Sequence, residues 1–243
     1  MSWNGKRALV TGASGALGQA IARRLAQGGA TVLLHANSRP DAVQALAATI
    51  AAEGGQAQCH VFDLRSDDAC AQACEKMLAE GPVQILVNNA GVHDDAVFPG
   101  MSAPQWHRVI DVSLHGFFHV TQPLVLPMLR TRWGRIVNIS SVAALMGNRG
   151  QVNYAAAEGA LNSATKALSL EVASRGVTVN AVAPGIIASP MADGSFDAAT
   201  IAQLVPAKRA GTPQEVASLA SFLASDEAAY ITGQVISING GMI

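Results

Sequence analysis

Cysteine, charge and long apolar runs are all scarce in this sequence, and each shortage excludes a class of protein. The chain has three cysteines in 243 residues. Because Cys59, Cys70 and Cys74 are odd in number and include no Cys-x-x-Cys pair, we expect free thiols in a reducing compartment and no metal site. The net charge of -1 lacks the basic excess that nucleic-acid binding requires. No apolar run approaches the ~18 residues that cross a bilayer, and no signal peptide is recognisable, so we expect a cytoplasmic protein.

Hydrophobic residues are abundant instead, at 50% of the chain, and they fall into alternating strand and helix patterns. The predicted strands are Arg7–Thr11, Thr31–His35, Ala57–Phe62, Gln84–Val87, Arg135–Ile139, Val177–Val182 and Gln234–Ile238. The predicted helices are Ala16–Gln27, Asp41–Glu53, Asp67–Ala79, Ala103–Arg130, Asn153–Ser174 and Pro213–Ala224. Continuous apolar strands that alternate with helices predict a single α/β domain over residues 1–243. We expect a doubly wound parallel sheet of about seven strands with helices on both faces.

Two segments depart from this regular pattern. Pro123 and Pro127 lie inside the long predicted helix, where we expect them to bend or interrupt it. The stretch Gly185–Ala210 is the least regular part of the chain and is a candidate mobile lid near the site.

A glycine-rich loop, Thr11-Gly12-Ala13-Ser14-Gly15-Ala16-Leu17-Gly18, follows the first predicted strand and opens the first helix. In that position backbone N–H groups at a helix start can meet a pyrophosphate, and missing side chains allow its close approach. The loop therefore predicts a Rossmann-type dinucleotide site, or alternatively a tight turn that holds no ligand. Its candidate binding residues are Gly12, Ser14, Gly15, Ala16, Leu17 and Gly18.

The end of the second predicted strand indicates which dinucleotide is bound. NAD sites usually place an acidic residue there to bind the ribose hydroxyls, but no acid precedes Asp41 in this stretch. Asn37, Ser38 and Arg39 suit a 2′-phosphate, so NADP(H) is the predicted cofactor. The alternative is that Arg39 merely faces solvent.

Several segments together resemble the short-chain dehydrogenase/reductase family, and most closely its 3-oxoacyl-[acyl-carrier-protein] reductases. They are the glycine loop, Asp63, Asn88-Asn89-Ala90-Gly91, Ser141, Tyr154, Pro184-Gly185, the tail segments Tyr230–Gln234 and Asn239–Gly241, and the stretches Gly147–Tyr154 and Ala173–Asn180. The resemblance covers essentially the whole chain. It implies NADPH-dependent reduction of a 3-oxoacyl group on acyl carrier protein to the 3-hydroxyacyl form.

The resemblance also assigns roles to individual residues. Asp63 would hydrogen-bond the adenine, and Ile187 and Ser189 would contact the carboxamide. The remaining cofactor-binding residues it implies are Leu64, Asn89, Ala90, Gly91, Tyr154, Pro184 and Gly185. Arg132 and Arg175 fall where such reductases dock the acidic carrier protein near the site entrance, although they could be two ordinary surface arginines.

The long helix of such enzymes packs against another subunit, in a homotetramer or in a heterotetramer with a related reductase. We therefore read the four-residue recurrence of His107, Asp111, His115 and His119 as an interface or a solvated face rather than as a metal site.

The catalytic group of this resemblance contains one pronounced departure. Ser141 would polarise the carbonyl and Tyr154 would donate the proton, but Glu158 stands where the family has a lysine. Two unit charges ~4–5 Å apart interact by roughly 3–4 kcal/mol at an effective dielectric near 20, so an ionised Glu158 opposes tyrosinate formation. Ser113 replaces an asparagine of the proton relay, and Ala16 replaces the usual second glycine.

Three interpretations of Glu158 remain open from the sequence. It is an inactivating substitution in an ordinary reductase, the mark of a non-catalytic cofactor-binding subunit that pairs with an active relative, or part of altered chemistry in which a protonated carboxyl regains a donor. A reductase of free small ketones, with no role for the two arginines, is a further alternative.

Overall fold

The computed structural model describes residues 1–188 and 197–243, and in that part of the chain seven strands form one parallel sheet. In chain order the strands are β1 Arg7–Val10, β2 Thr31–Ala36, β3 Gln56–Val61, β4 Ile85–Asn88, β5 Gly134–Ile139, β6 Val177–Pro184 and β7 Val235–Ile238. Their spatial order is β3-β2-β1-β4-β5-β6-β7. The predicted doubly wound parallel sheet is confirmed. Because the order reverses between β1 and β4, a crevice opens there at the carboxyl ends of the strands.

The helices connect successive strands, and most predicted helices and strands end within one or two residues of the observed bounds. In chain order the helices are α1 Ala16–Gln27, α2 Pro40–Ala52, α3 Asp67–Ala79, α4 Ala103–Ile110, α5 Gly116–Thr131, α6 Ala143–Met146, α7 Val152–Val172, α8 Ala198–Leu204 and α9 Pro213–Leu223.

Two hydrophobic cores lie on opposite faces of the sheet. Val10 of β1 belongs to the first core, with Ile21 of α1 and Val216 of α9. Its neighbour Leu9 belongs to the second core, with Leu124 of α5. Successive strand residues point to opposite faces, so a strand that is covered on both sides must be apolar throughout, as the central strands are.

The edge strand β3 does not share this continuous apolar character. Its residues are all exposed or half-buried, and none is fully buried. Val61 is half-exposed. The expectation that every strand is continuously apolar is therefore wrong for β3, because the edge of the sheet has a neighbour on one side only.

The expected interruption of the long helix at its prolines, one of the two outcomes predicted for them, is also wrong. Both Pro123 and Pro127 lie inside α5. Leu124 and Met128 between and beside them are fully buried against the second core. Tertiary packing of an apolar face holds most helices in proteins, and here it offsets the hydrogen bonds that the prolines remove. The interruption lies instead in a π-helical turn at Asp111–His115, between α4 and α5.

The segment Gly185–Ala210, predicted to be irregular, contains the helix α8. Asp197 caps its N-terminus by accepting a hydrogen bond from the backbone N–H of Thr200 at 2.7 Å. Ser189, a predicted carboxamide contact, lies outside the described residues, so the candidate lid stays a prediction.

Candidate active site

The glycine loop connects β1 to α1 and comes very close to the loop after β4. Gly12 has a φ of +65°, and a Cβ atom on it would lie 2.9 Å from the Cα of Ala90. A Cβ atom on Gly18 would lie 2.8 Å from the Cα of Ala13, whereas one on Gly15 would meet its nearest neighbour at an ordinary 3.5 Å. Close approach therefore requires glycine at positions 12 and 18. Gly15 is the N-cap of α1 and has no side chain to cap it, so N–H groups of the first turn can receive an anion.

His35, at the end of β2, holds this loop in place. Its Nδ1 accepts a hydrogen bond from the N–H of Gly12 at 3.1 Å, and its Nε2 donates to the carbonyl of Phe62 at 3.0 Å. The side chain is buried, and burial lowers the pKa of His35 to about 4, so the ring is neutral at pH 7. Sequence reasoning missed this role, although a histidine at the end of an otherwise apolar strand was a visible signal.

The residues after β2 lie beside the glycine loop, as predicted. The guanidinium of Arg39 donates to the hydroxyl of Ser14 at 3.1 Å. Asn37 and Ser38 are exposed next to it. The guanidinium cation of Arg39 and the hydroxyl of Ser14 therefore meet at one edge of the loop. A phosphate group is held by hydrogen bonds from such donors, and the bonds from a cation are the stronger ones.

The loop after β3, where the resemblance places the adenine, carries an ion pair that the sequence analysis did not predict. Arg65 forms a bidentate contact with Asp63, with its Nε 3.0 Å from each carboxylate oxygen. This contact lowers the pKa of Asp63. Leu64 is buried beside it.

The loop after β4 is fixed to the glycine loop through Thr11. Its hydroxyl accepts hydrogen bonds from the N–H groups of Asn89 at 2.9 Å and Ala90 at 3.0 Å. The side chain of Asn89 donates to the carbonyl of Thr11 at 2.9 Å. The two loops thus form one rigid edge of the crevice.

The end of β6 supplies the opposite edge of the crevice. Pro184 closes the strand, and a Cβ atom on Gly185 would lie 2.9 Å from the Cα of Asn239. Ile187 is buried and forms an isolated parallel bridge with Gly211.

The structure brings Ser141 and Tyr154 together at the carboxyl edge of β5. Ser141 follows that strand and lies close enough to Tyr154, near the start of α7, to lower the pKa of its phenol. The fully buried Asn153 helps to position the tyrosine: its side-chain oxygen accepts from the N–H of Tyr154 at 2.8 Å, and its amide donates to the carbonyl of Asp94 at 2.9 Å.

Glu158 lies one turn further along α7 and is only 2% exposed. Its Oε1 and the hydroxyl of Ser113 both face Gly91, at 3.6 and 3.4 Å from the place where a Cβ of that glycine would stand. Among the described residues, Glu158 Oε2 and Ser113 Oγ have no well-aligned hydrogen-bond partner. Burial raises the pKa of Glu158 to about 8, so the carboxyl is mostly protonated at pH 7.

Tyr154 is a weak acid in this environment. Burial raises its pKa, the neighbouring Glu158 raises it further, and Ser141 lowers it. Glu158 opposes ionisation of the tyrosine through its carboxylate form, which is the minor form at pH 7.

Ser113 owes its position to the π-helical turn between α4 and α5. The N–H of Gly116 bonds to the carbonyl of Asp111, five residues back, which inserts one extra residue into the helix. Such turns are frequent at functional sites. The turn directs Ser113 into the buried space beside Glu158, next to Gly91.

Arg132 and Arg175 also come together, but at the other edge of the sheet. Arg132 donates to the carbonyl of Ser174 at 3.3 Å. The two arginines immediately precede β5 and β6, at the amino ends of those strands, whereas Ser141 follows β5. Six residues of strand, about 20 Å, separate the two edges. Within a single chain, Arg132 and Arg175 therefore do not lie beside the entrance of the site, and the expectation that they do is wrong.

The histidines of the long helix make separate contacts. His115 lies 3.0 Å from Asp111, and His119 bonds to the carbonyl of Leu64. Within residues 1–188 and 197–243, no three histidine, cysteine or acidic side chains are arranged to hold a metal ion. None of the helices in these residues is long and apolar enough to cross a membrane.

The fold and the glycine loop define a doubly wound α/β protein of the dinucleotide-binding class. A family profile described as enoyl-(acyl carrier protein) reductase matches residues 12–243. The chain therefore belongs to the short-chain dehydrogenase/reductase family of oxidoreductases, as its motifs predicted.

Full-length relatives agree with this assignment. The chain is 46% identical to the 3-oxoacyl-[acyl-carrier-protein] reductase of Escherichia coli, over 100% of this chain and 99% of that protein. It is 45% identical to nodulation protein G of a Rhizobium species, over 98% and 97%. A solved structure provisionally assigned as a gluconate dehydrogenase from Agrobacterium tumefaciens superposes with a TM-score of 0.95 at 33% identity, over 99% of this chain and 97% of that one.

Proposed function

We propose that this protein uses NADPH to reduce a 3-oxoacyl group on acyl carrier protein to the 3-hydroxyacyl form. The observation that carries the proposal is that Ser141 and Tyr154 lie side by side at the carboxyl edge of the sheet, close enough for Ser141 to act on the phenol. The full-length similarity to 3-oxoacyl-[acyl-carrier-protein] reductases supports the choice of substrate.

The residues present fit a nicotinamide dinucleotide. The close approach required at Gly12 and Gly18 and the uncapped start of α1 suit a pyrophosphate. Arg39 and Ser14 would hold the 2′-phosphate, and Asp63 would exchange its contact with Arg65 for the adenine. When bound, the cofactor supplies a hydride to the carbonyl carbon.

The protein's own residues handle the oxygen of the substrate. Ser141 would donate a hydrogen bond to the carbonyl oxygen, and the Oη–H of Tyr154 would give its proton as charge develops there. Glu158 does not supply the positive charge of a lysine. A charge interaction of roughly 3–4 kcal/mol corresponds to ~10²–10³-fold in rate, so we expect turnover to be slower than with lysine at this position.

Carrier docking on Arg132 and Arg175 needs a second chain, because these arginines lie at the edge of the sheet away from the site of their own chain. We include in the proposal a homotetramer, or a heterotetramer with a related reductase, that brings the two arginines of one chain towards the entrance of another. The exposed apolar side chains of Phe118 and Leu126 on α5 and Leu170 on α7 are available for such an interface.

The experiment that tests the proposal compares the unmodified chain with Glu158→Lys. NADPH consumption is measured with acetoacetyl carrier protein, with NADH as the cofactor control. We expect slow NADPH-dependent turnover that rises by about 10²-fold or more in Glu158→Lys. A lysine variant that binds NADPH but reduces nothing would contradict the proposal, and turnover only in mixtures with a second reductase would identify a non-catalytic subunit instead.

A further inference from the structure

Glu158 is a buried acid, and one of its carboxyl oxygens is not used in a hydrogen bond. In the part of the chain that the structure describes, its Oε2 has no hydrogen-bond partner, and no cation faces it. An ionised carboxylate buried in this way costs several kcal/mol, whereas a protonated one has an O–H that needs an acceptor. The geometry therefore favours the neutral acid.

Within residues 1–188 and 197–243, the titratable group that the neighbouring elements contribute to this space is Tyr154. The π-helical turn contributes Ser113, while Asp111 at its start pairs with His115 away from the carboxyl. In the loop before α4, Asp94 pairs with Arg108, and Asp95 bonds to Gln151 and acts weakly on Tyr154. Glu158 therefore acts on Tyr154 by raising its pKa, whereas burial is the main cause of the raised pKa of Glu158 itself.

We propose that Glu158 is a neutral carboxylic acid that returns a proton to Tyr154 after each reduction. This inference rests on the proposed function. It assigns to Glu158 a proton-supplying role that a lysine-type site gives to other groups, and it makes turnover dependent on protonation of this carboxyl.

The relative acidity of the two groups gives the direction of transfer. Burial raises the pKa of Glu158 to about 8, whereas the pKa of Tyr154 is raised above its ordinary value of 10. Glu158 is thus the stronger acid of the pair, so a tyrosinate next to a protonated Glu158 takes its proton.

Each proton in this relay has a defined donor and a defined acceptor. The Oη–H bond of Tyr154 breaks, and its proton goes to the carbonyl oxygen, which becomes the product hydroxyl. The O–H bond of Glu158 then breaks, and that proton restores the hydroxyl of Tyr154. The carboxylate left on Glu158 regains a proton from the solvent. Each reduction consumes one solvent proton, and no electrons pass through Glu158.

Glu158→Gln separates this relay from simple inhibition by a negative charge. Glutamine keeps the shape and a donor but gives up no proton. If Glu158 only opposed catalysis, removing its charge would leave the rate equal or raise it. The relay predicts the opposite for repeated turnover: steady-state NADPH oxidation falls by ~10²-fold or more, because proton transfer typically contributes 10²–10⁴-fold, whereas the first turnover, which uses the proton already on Tyr154, keeps its rate. The expected order of rates is lysine, then glutamate, then glutamine.

A second measurement reports on the carboxyl without turnover. Infrared spectra of the chain without cofactor should show a protonated carboxylic acid band that disappears as the pH rises through about 8. The band should be absent in Glu158→Gln and present in Glu171→Gln, a control at an exposed position on the same helix. In the unmodified chain, turnover should fall over the same pH range.

The outcomes distinguish failure of the relay from failure of the proposed function. The relay is overturned if the steady-state rate of Glu158→Gln equals that of the unmodified chain, or if no carboxylic acid band depends on Glu158. It is also overturned, with the proposed function intact, if Glu158→Lys reduces the carrier thioester while the unmodified chain does so at no pH. If Glu158→Lys binds NADPH and still reduces nothing, the proposed function fails and takes the relay with it.

Discussion

Replacing Glu158 by glutamine should change how the stability of this protein depends on pH. Folding raises the pKa of this carboxyl from its ordinary 4.5 to about 8 because it is fully buried. The unfolded chain therefore releases the proton at lower pH than the folded one. The neutral side chain contributes its full stability below about pH 4.5, and that contribution is lost as the pH rises towards 8.

The size of this change in stability follows from the shift in the pKa of Glu158 on folding. Each pH unit between these two values lowers the free energy of unfolding by about 1.4 kcal/mol, and the whole range amounts to at most ~5 kcal/mol. Above the folded-state pKa no further loss occurs. Since 1 kcal/mol moves the melting temperature of a protein of this size by about 2–4 °C, the difference can reach 10 °C or more.

Thermal unfolding of three chains would measure this difference. The unmodified protein, Glu158→Gln and the exposed control Glu171→Gln are melted from about pH 5 to about pH 9, spanning the expected transition. We expect the glutamine variant at position 158 to gain stability relative to the other two as the pH rises, with the gain levelling off above about 8. Parallel pH curves for all three chains would refute the conclusion that Glu158 is neutral in the folded protein.

Further predictions concern cofactor binding and the carrier. Arg39→Ala should weaken NADPH binding by ~10–100-fold, the value of a charged hydrogen bond, and leave NADH binding unchanged in fluorescence titrations; equal losses would exclude a 2′-phosphate contact. Gly18→Ala should abolish cofactor binding because its Cβ would press on the loop backbone, whereas Gly15→Ala, at ordinary contact distance, should be tolerated; similar binding by both variants would contradict the close approach. Replacing Arg132 and Arg175 by glutamate should raise KM for the carrier-bound substrate alone, and an equal rise for a free thioester would reject docking.

The fold was largely predictable because the central strands are apolar on both faces and the helices follow with short connections. The glycine loop and the residues after β2 lie together because parallel strands bring their carboxyl ends to one edge of the sheet. Ser141 and Tyr154 were singled out by the family resemblance and not by this pattern. The strand β3 does not have the continuous apolar pattern of the central strands, because it lies at the edge of the sheet.

Features that depend on tertiary packing could not be predicted. The helix α5 continues through Pro123 and Pro127 because its apolar face is buried, and the π-helical turn that positions Ser113 leaves no mark in the local sequence. The contact of Arg65 with Asp63 depends on side-chain geometry. The protonation of Glu158 follows from its burial among neutral groups, which a sequence pattern does not report.

The central claim is that this chain reduces a 3-oxoacyl group on acyl carrier protein. The most direct test incubates the unmodified chain with 3-oxoacyl carrier protein and NADPH that carries deuterium at the transferable position, and then weighs the carrier by mass spectrometry. We predict that the acyl group gains one deuterium on carbon and one exchangeable proton on oxygen. An acyl group of unchanged mass, with NADPH bound to the protein but not consumed, would contradict the account.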